Sequence, residues 1–310
     1  MSEQPVALSI VSPLFNEQLG VDEFLEVVTR QLAHCNEPYE IICVNDGSTD
    51  HTLARLLGAK QHYPHLRIIN LSRNFGKDAA LMAGLDHARG DAVIILDADL
   101  QDPPTLIDAF IARWRQGFDV VLAKRVDRTS DSFFKRWSSR WFYRTHNAIA
   151  RTTIPENVGD SRLITRRVVE AIQKLPENQR FMKGIFAWVG FEAAVVEFRR
   201  AARHQGKSKF SPWKLWNYAL EGITSFSTAP LRIWLYFGLL VCVLAFCYGS
   251  FIVLRTLVWG IDVPGYASLL TSVLFFCGLQ LVGLGILGEY VGRIYLESKG
   301  RPLYIVEGEY

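Results

Sequence analysis

Two stretches near the C-terminus constrain what this chain can fold into more than any other feature. Ile233 to Leu254 (IWLYFGLLVCVLAFCYGSFIVL) runs for roughly 22 residues without a formal charge, enough helix to cross a hydrocarbon core about 30 Å thick. A second run, Val263 to Gly288, repeats the pattern. A helix in a soluble core needs a polar face outside its apolar one, and neither run supplies it. The connector RTLVWGID is short, so the two runs are expected to form a helical hairpin. Arg199, Arg200, Arg203, Lys207, Lys209, Lys214 and Arg232 precede it, Arg293, Lys299 and Arg301 follow it, and only Arg255 lies in the connector. The positive-inside rule then expects both termini in the cytoplasm. The opening MSEQPVALSIV agrees, because it lacks the basic start and small-residue cleavage site of a secretory signal. Gly288 and Gly292 make a G-x-x-x-G in the second run, which suits helix association between chains or tight packing within the hairpin.

The remainder reads as a mixed soluble sequence, and the expected layout follows. Residues 1–211 are expected to form a cytoplasmic globular domain, 212–229 an amphipathic juxtamembrane helix, 230–292 the two spans and 293–310 a cytoplasmic tail. SPWKLWNYALEGITSF sets Trp213, Trp216, Leu220 and Ile223 at helical spacing. FFKRWSSRWFYR, in a segment near 133–150, sets a stripe of Phe134, Trp137 and Trp141 beside one of Arg136, Arg140 and Arg144. Adjacent aromatic and basic stripes suit a lipid–headgroup interface, and packing against the globular domain is the plainer reading. The net charge of +3 is too small to argue for nucleic acid. The five cysteines are scattered without C-x-x-C spacing and read as reduced, packed thiols.

The first half alternates apolar strands with helical patterns. Strands are expected at Val6–Pro13, Tyr39–Asn45, Leu66–Ser72, Ala92–Asp97 and Asp119–Lys124, with helices over about Gln18–Ala33, His51–Gln61 and Lys77–Ala88 and another opening at Pro103. Strands that are apolar throughout and separated by helices imply a mostly parallel α/β sheet covered on both faces. Ligands bind such sheets beyond the carboxyl ends of the strands. Polar clusters stand there: FNE, NDGSTD, RNFGKD and DADLQD follow the first four strands in turn.

VIILDADLQDPP carries the sharpest of these. In extended chain, residues two apart face the same way, so Asp97, Asp99 and Gln101 are expected to converge with Ala98 turned aside. Two close carboxylates repel, and a divalent cation removes the penalty. An all-oxygen set suits Mg²⁺ or Mn²⁺ and, at a strand end, a metal–diphosphate. Asp102 is expected to cap the next helix with Pro103 at its first position. Asp46 can accept the N3–H of a uracil with Gly47 allowing close approach; otherwise this is a turn and Asp50 caps the helix after it. Asn74 and Lys77 open a helix whose N-terminus favours anions, although Lys77 also reads as a surface charge.

PLFNE, VNDGSTD, RNFGKDAALMAGLDHA, LDADLQDP, NVGDSRL, GKSKF and ALEGITSFSTAPLRIW occur in this order. Together they resemble glycosyltransferase family 2, with a GT-A (Rossmann-like) fold. They look most like its bactoprenol (undecaprenyl-phosphate) glucosyltransferases, relatives of dolichyl-phosphate mannose synthase. The resemblance implies that Pro13, Phe15, Asn16, Glu17, Asp46, Gly47, Asn74, Lys77, Asp97 and Ala98 bind the nucleotide sugar. Arg200, Arg203, Ser208 and Lys209 would close over its phosphates. Asp97, Asp99 and Gln101 would bind the metal, and Arg125, Lys135, Arg136 and Arg140 the acceptor phosphate. Asp160 would be the catalytic aspartate, with Asp99 beside it. Ser161 departs from the pattern, which has an aromatic there.

The implied reaction is inverting transfer of glucose from UDP-glucose to undecaprenyl phosphate at the bacterial inner membrane. The resemblance also implies a tetramer, a flippase and a downstream glucosyltransferase as partners. A mannose-type synthase keeps the reaction but changes the sugar. A processive polysaccharide synthase lacks support, since no Q-x-x-R-W is present, and intact acidic motifs argue against a non-enzymatic scaffold.

Overall fold

A computed structural model describes residues 6–35, 37–126, 158–177, 182–198, 229–259 and 265–310. The segment near 133–150, residues 212–228 of the juxtamembrane segment and the loop carrying Arg200 to Lys209 lie outside the described residues.

Eight strands form one sheet in the order β7-β5-β6-β4-β1-β2-β3-β8. β1 (Leu8–Leu14), β2 (Tyr39–Asn45), β3 (Leu66–Leu71) and β4 (Ala92–Ile95) are mutually parallel, with β1 between β2 and β4. β5 (Val120–Arg125) does not sit beside β4. β6 (Val158–Thr165) inserts between them, antiparallel to both, and β7 (Ala193–Phe198) runs parallel to β5 at the edge. Successive side chains feed opposite faces, as the two-residue period of a strand requires. Ile10, Ile41 and Ile94 join the core under α1 (Val21–Leu32), α2 (Thr52–Ala59) and α4 (Leu106–Arg115). Val11, Ile42 and Val93 join the one under α3 (Lys77–His87), α5 (Arg166–Gln173) and α6 (Met182–Trp188).

α3 lies closest to the sheet. Its buried residues include Ala79, Ala80, Ala83 and Gly84, and a Cβ on Gly84 would stand 2.2 Å from Val11 Cγ1. Cys43 sits in the core, where burial pushes its thiol up to about 12. Among the described residues Cys35, Cys43, Cys247 and Cys277 are free thiols; Cys43 is buried and Cys35 half-buried, whereas Cys247 and Cys277 are exposed on the apolar helices rather than packed as expected.

α7 (Ala229–Trp259) and α8 (Tyr266–Ser298) carry the two apolar runs, and Ile233–Ile252 and Phe275–Ser298 are long and apolar enough to cross a membrane. Both stretches are unburied by the rest of the chain. α7 continues past its apolar run through Arg255 to Trp259. A Cβ on Gly283 would lie 2.1 Å from the Trp234 indole nitrogen, whereas Gly288 and Gly292 have nothing within 4 Å. The close glycine contact within the hairpin is therefore at Gly283, outside the G-x-x-x-G.

After α8 the chain returns to the sheet. β8 (Val306–Glu309) pairs antiparallel with β3 and becomes its outer strand, where the sequence had suggested only a tail.

Candidate active site

Four loops meet at the carboxyl edge of the sheet, and hydrogen bonds stitch them together. Asn16, after β1, has a left-handed backbone (φ 54°), and its Oδ1 accepts the Thr49 N–H at 2.8 Å. Its own N–H donates to Ser48 Oγ at 3.0 Å, and the Glu17 N–H donates to Thr52 Oγ1 at 2.9 Å. Asp50 accepts from the Thr52 and Gln18 N–H groups, so it holds the first loop and bonds the first residue of α2, but His51 rather than Asp50 stands at the cap position of that helix. Pro13 is in β1, and Phe15 stands exposed just beyond it.

Asp46 is almost completely buried (2% exposed) and anchors the loop after β3. Its Oδ1 accepts the Phe75 N–H at 2.7 Å, and its Oδ2 accepts from Gly76 N–H and Asn74 Nδ2 at 3.0 Å each. Burial pushes its carboxyl up against the pull of those N–H groups and of Arg73. Gly47 has φ 58°, and a Cβ there would be 2.2 Å from the Arg73 carbonyl carbon. Its lack of a side chain thus serves the packing of this loop.

Beyond β4 the chain departs from the sequence expectation. It does not stay extended: Ala98 and Asp99 form a turn, Leu100 is left-handed at φ 49°, and Asp99 Oδ1 accepts the Gln101 N–H at 3.2 Å. Asp102 does not cap α4. Thr105 holds that position, and Asp102 Oδ2 instead accepts a hydrogen bond from Ser161 Oγ. Ser161 is completely buried beneath this contact, which gives a physical reason for a small hydroxyl residue where the family pattern has an aromatic.

The antiparallel course of β6 brings Asp160 to the site. Because β6 runs against β4 and β5, its first residues rather than its last reach the carboxyl edge. Lys77, the first residue of α3, spans the gap: its Nζ lies 2.7 Å from Asp97 Oδ1 and donates to Asp160 Oδ2 at 2.6 Å. Burial disfavours the ammonium, but the two carboxylates outweigh it and hold Lys77 protonated above its ordinary range. Burial raises the Asp97 carboxyl, Lys77 opposes the rise, and Asp160 and Asp99 add to it. Arg162 was not anticipated from sequence. It is buried, donates to the Asp160 and Gly159 carbonyls, and lies 4.1 Å over the Phe186 ring. Arg125 ends β5 at the same edge. Lys135, Arg136, Arg140, Arg200, Arg203, Ser208 and Lys209 lie outside the described residues.

Asp97, Asp99 and Gln101 fit a hard divalent cation. Their donors are all oxygens, and Gln101 Nε2 is buried with no hydrogen-bond partner among the described residues. The two ends of a carboxamide are interchangeable by a flip, so that position can present an oxygen. No three carboxylate, imidazole or thiolate side chains converge among the described residues. Such a set matches an ion held by one or two carboxylates and completed by substrate phosphates.

A mostly parallel sheet with acidic loops at its carboxyl edge, followed by an apolar hairpin, defines a membrane-associated glycosyltransferase of GT-A fold. The chain belongs to glycosyl transferase family 2, whose model matches residues 9–173, and the GtrB C-terminal hairpin model matches 229–294. It is 52% identical over 97% of its length to the bactoprenol glucosyl transferase of Shigella phage SfV, covering 98% of that protein. It is 50% identical to the prophage bactoprenol glucosyl transferase homolog of Escherichia coli K12, covering 97% of this chain and 98% of that one. An uncharacterized glycosyltransferase of Synechocystis is 49% identical, over 97% of this chain and 95% of that one.

Proposed function

We propose that this enzyme transfers glucose from UDP-glucose to undecaprenyl phosphate with inversion at the anomeric carbon, from the cytoplasmic face of a bacterial inner membrane. One observation carries the reading: the Asp97–Lys77–Asp160 cluster lies on the sheet edge where the chain arrives from its membrane hairpin. The Ser72 N–H, just beyond β3, bonds to the Ile305 carbonyl at 3.0 Å. Only residues 299–305 separate the end of α8 from β8, a reach of about 25 Å fully extended. A polyprenyl phosphate keeps its head at the bilayer surface, so a short leash between helix and site suits it. The relatives named for bactoprenol support that acceptor and support glucose as the sugar.

Asn16 and Glu17 form the rim assigned to the uridine, with Pro13, Phe15, Asn74 and Ala98 beside it, and Asp46 and Gly47 hold the loop that supports it. Asp97, Asp99 and Gln101 would hold Mg²⁺ or Mn²⁺ against the donor diphosphate. When bound, that ion neutralises the charge developing on the departing diphosphate. A phosphate oxygen of the lipid, bound near Arg125, forms the new bond to the anomeric carbon. The bond to the diphosphate breaks, and its electron pair leaves with UDP. A single in-line displacement inverts the centre. A phosphate monoester has its second pKa near ~6, so the nucleophile needs little deprotonation at neutral pH. Asp160 then orients a sugar hydroxyl or stabilises positive character at the anomeric carbon.

The test supplies purified enzyme with labelled UDP-glucose and undecaprenyl phosphate in detergent and identifies the lipid product by mass spectrometry. A glucosyl-phospholipid that disappears with a chelator and with Asp99→Ala is the expected outcome. Soluble glucose, a polymer, or undiminished synthesis by Asp99→Ala would overturn the reading.

A further inference from the structure

Lys77 is oddly placed for a lysine. It opens α3, where the helix dipole disfavours a cation. It nevertheless sits within 2.7 Å of Asp97 Oδ1 and 2.6 Å of Asp160 Oδ2. Its backbone is fixed as firmly as its head. α3 packs on the sheet through small residues, and the preceding loop hangs on Asp46. The ammonium is therefore delivered to the carboxylates by rigid structure rather than by a surface side chain finding a chance partner.

We propose that Lys77 is a built-in competitor for the metal at Asp97, so that divalent-cation binding depends on the nucleotide diphosphate. This rests on the assignment of Asp97 as a metal ligand and adds a regulatory element to that site. A cation approaching Asp97 meets a fixed positive charge already using Oδ1. Two positive charges a few ångströms apart in a half-buried site repel strongly, because the local dielectric is well below that of water. A nucleoside diphosphate brings the negative charge that removes this penalty, offering oxygens to the metal and an acceptor to the ammonium. Metal and nucleotide then bind as a pair. Asp160 keeps a partner throughout, because Lys77 Nζ has three donors and can stay on Asp160 Oδ2 while releasing Asp97. Lys77 thus acts as a positioning residue: it controls when the cation enters and holds Asp160 in place meanwhile.

The experiment measures Mn²⁺ affinity of the full-length protein in detergent by electron paramagnetic resonance, with and without UDP, for wild type, Lys77→Met, Lys77→Gln and Lys77→Arg. Wild type should bind Mn²⁺ weakly alone and much more tightly with UDP. Lys77→Met and Lys77→Gln should bind Mn²⁺ alone at least about tenfold tighter than wild type, with correspondingly less gain from UDP. Lys77→Arg keeps the charge and should keep the wild-type coupling. The half-exposed side chain makes a folding defect easy to separate, because thermal melts of the two neutral variants should agree with each other. Equal Mn²⁺ affinity in wild type and both neutral variants, or identical behaviour of Arg and Met, would overturn the competitor role while leaving the metal assignment intact. Failure of every form to take up Mn²⁺ even with UDP would overturn the assignment of Asp97 as well.

Discussion

At the scale of single residues, the site divides into groups that build it and groups that face substrate. Gly47 belongs to the first. Its φ of 58° already disfavours a Cβ by about 1–2 kcal/mol, and the Cβ would also strike the Arg73 backbone. Gly47→Ala should cost more than about 3 kcal/mol, read as a lower denaturation midpoint at unchanged m-value. A stable, active Gly47→Ala protein would show that the loop after β3 can move aside. Asp160 belongs to the second group. Asp160→Asn keeps the shape and still offers Lys77 an oxygen to bond, so donor binding should stay near wild type by calorimetry. Transfer should fall about 10²–10³-fold, the size expected for one preorganised electrostatic contact. Asp97 and Asp99 were legible in the sequence, because acidic residues ending an apolar run have few structural uses, whereas Asp160 came only from the resemblance of NVGDSRL to the family. The partners of these residues were not legible. Asp102 follows the pattern of a helix cap yet bonds Ser161, fifty-nine positions away, and Lys77 read equally well as a surface charge. Contacts at that separation depend on which strands become neighbours, and local spacing carries no record of it.

At the scale of elements, α3 shows how packing positions chemistry. Its N-terminal lysine can reach β4 and β6 only because the helix lies close to the sheet at Gly84. Gly84→Ala should push the helix off Val11, lowering stability by about 1–3 kcal/mol. Adding Val11→Ala makes room for the new methyl, so the double variant should recover part of the loss. A double-mutant cycle measures this directly, and strict additivity would mean that the two residues do not press on each other. The apolar strands β1 to β5 and the helices between them could be read from sequence, since their signal is a local run of Val, Ile and Leu. β6, β7 and β8 could not. VGDSRLIT mixes polar residues with apolar ones because its first half serves the site, and VEGE has almost no strand character of its own. Both acquire their structure from the strands beside them. That matters most for β6, whose antiparallel insertion is the reason Asp160 sits opposite Asp97.

For the whole molecule, the C-terminal strand links two units that the sequence presents as separate. β8 covers the edge of β3, which would otherwise leave a row of unpaired N–H and C=O groups. It is also fastened by side chains. Glu309 lies 3.0 Å from His87 Nε2 and 3.9 Å from Arg67, Asn70 Nδ2 donates to Glu307 at 2.8 Å, and the Tyr304 hydroxyl donates to Asp86 at 2.8 Å. His87 ends α3, the helix whose first residue is Lys77, so the strand grips the opposite end of the element that carries the site. Removing residues 306–310 strips the edge and the Glu307 and Glu309 contacts but leaves both apolar helices. The hydrogen bonds and ion pairs lost are worth roughly 2–3 kcal/mol together, most of them lying at the surface. For a domain of this size that is a fall in Tm of about 5–10 °C. The truncated protein should still enter membranes and, below its lowered Tm, still bind UDP. Transfer to lipid phosphate should drop further than transfer to a short, water-soluble isoprenyl phosphate, because only the lipid acceptor needs the site held at a fixed distance from the hairpin. If both acceptors lost activity in the same proportion, β8 would be a stabilising edge strand with no part in placing the site against the bilayer.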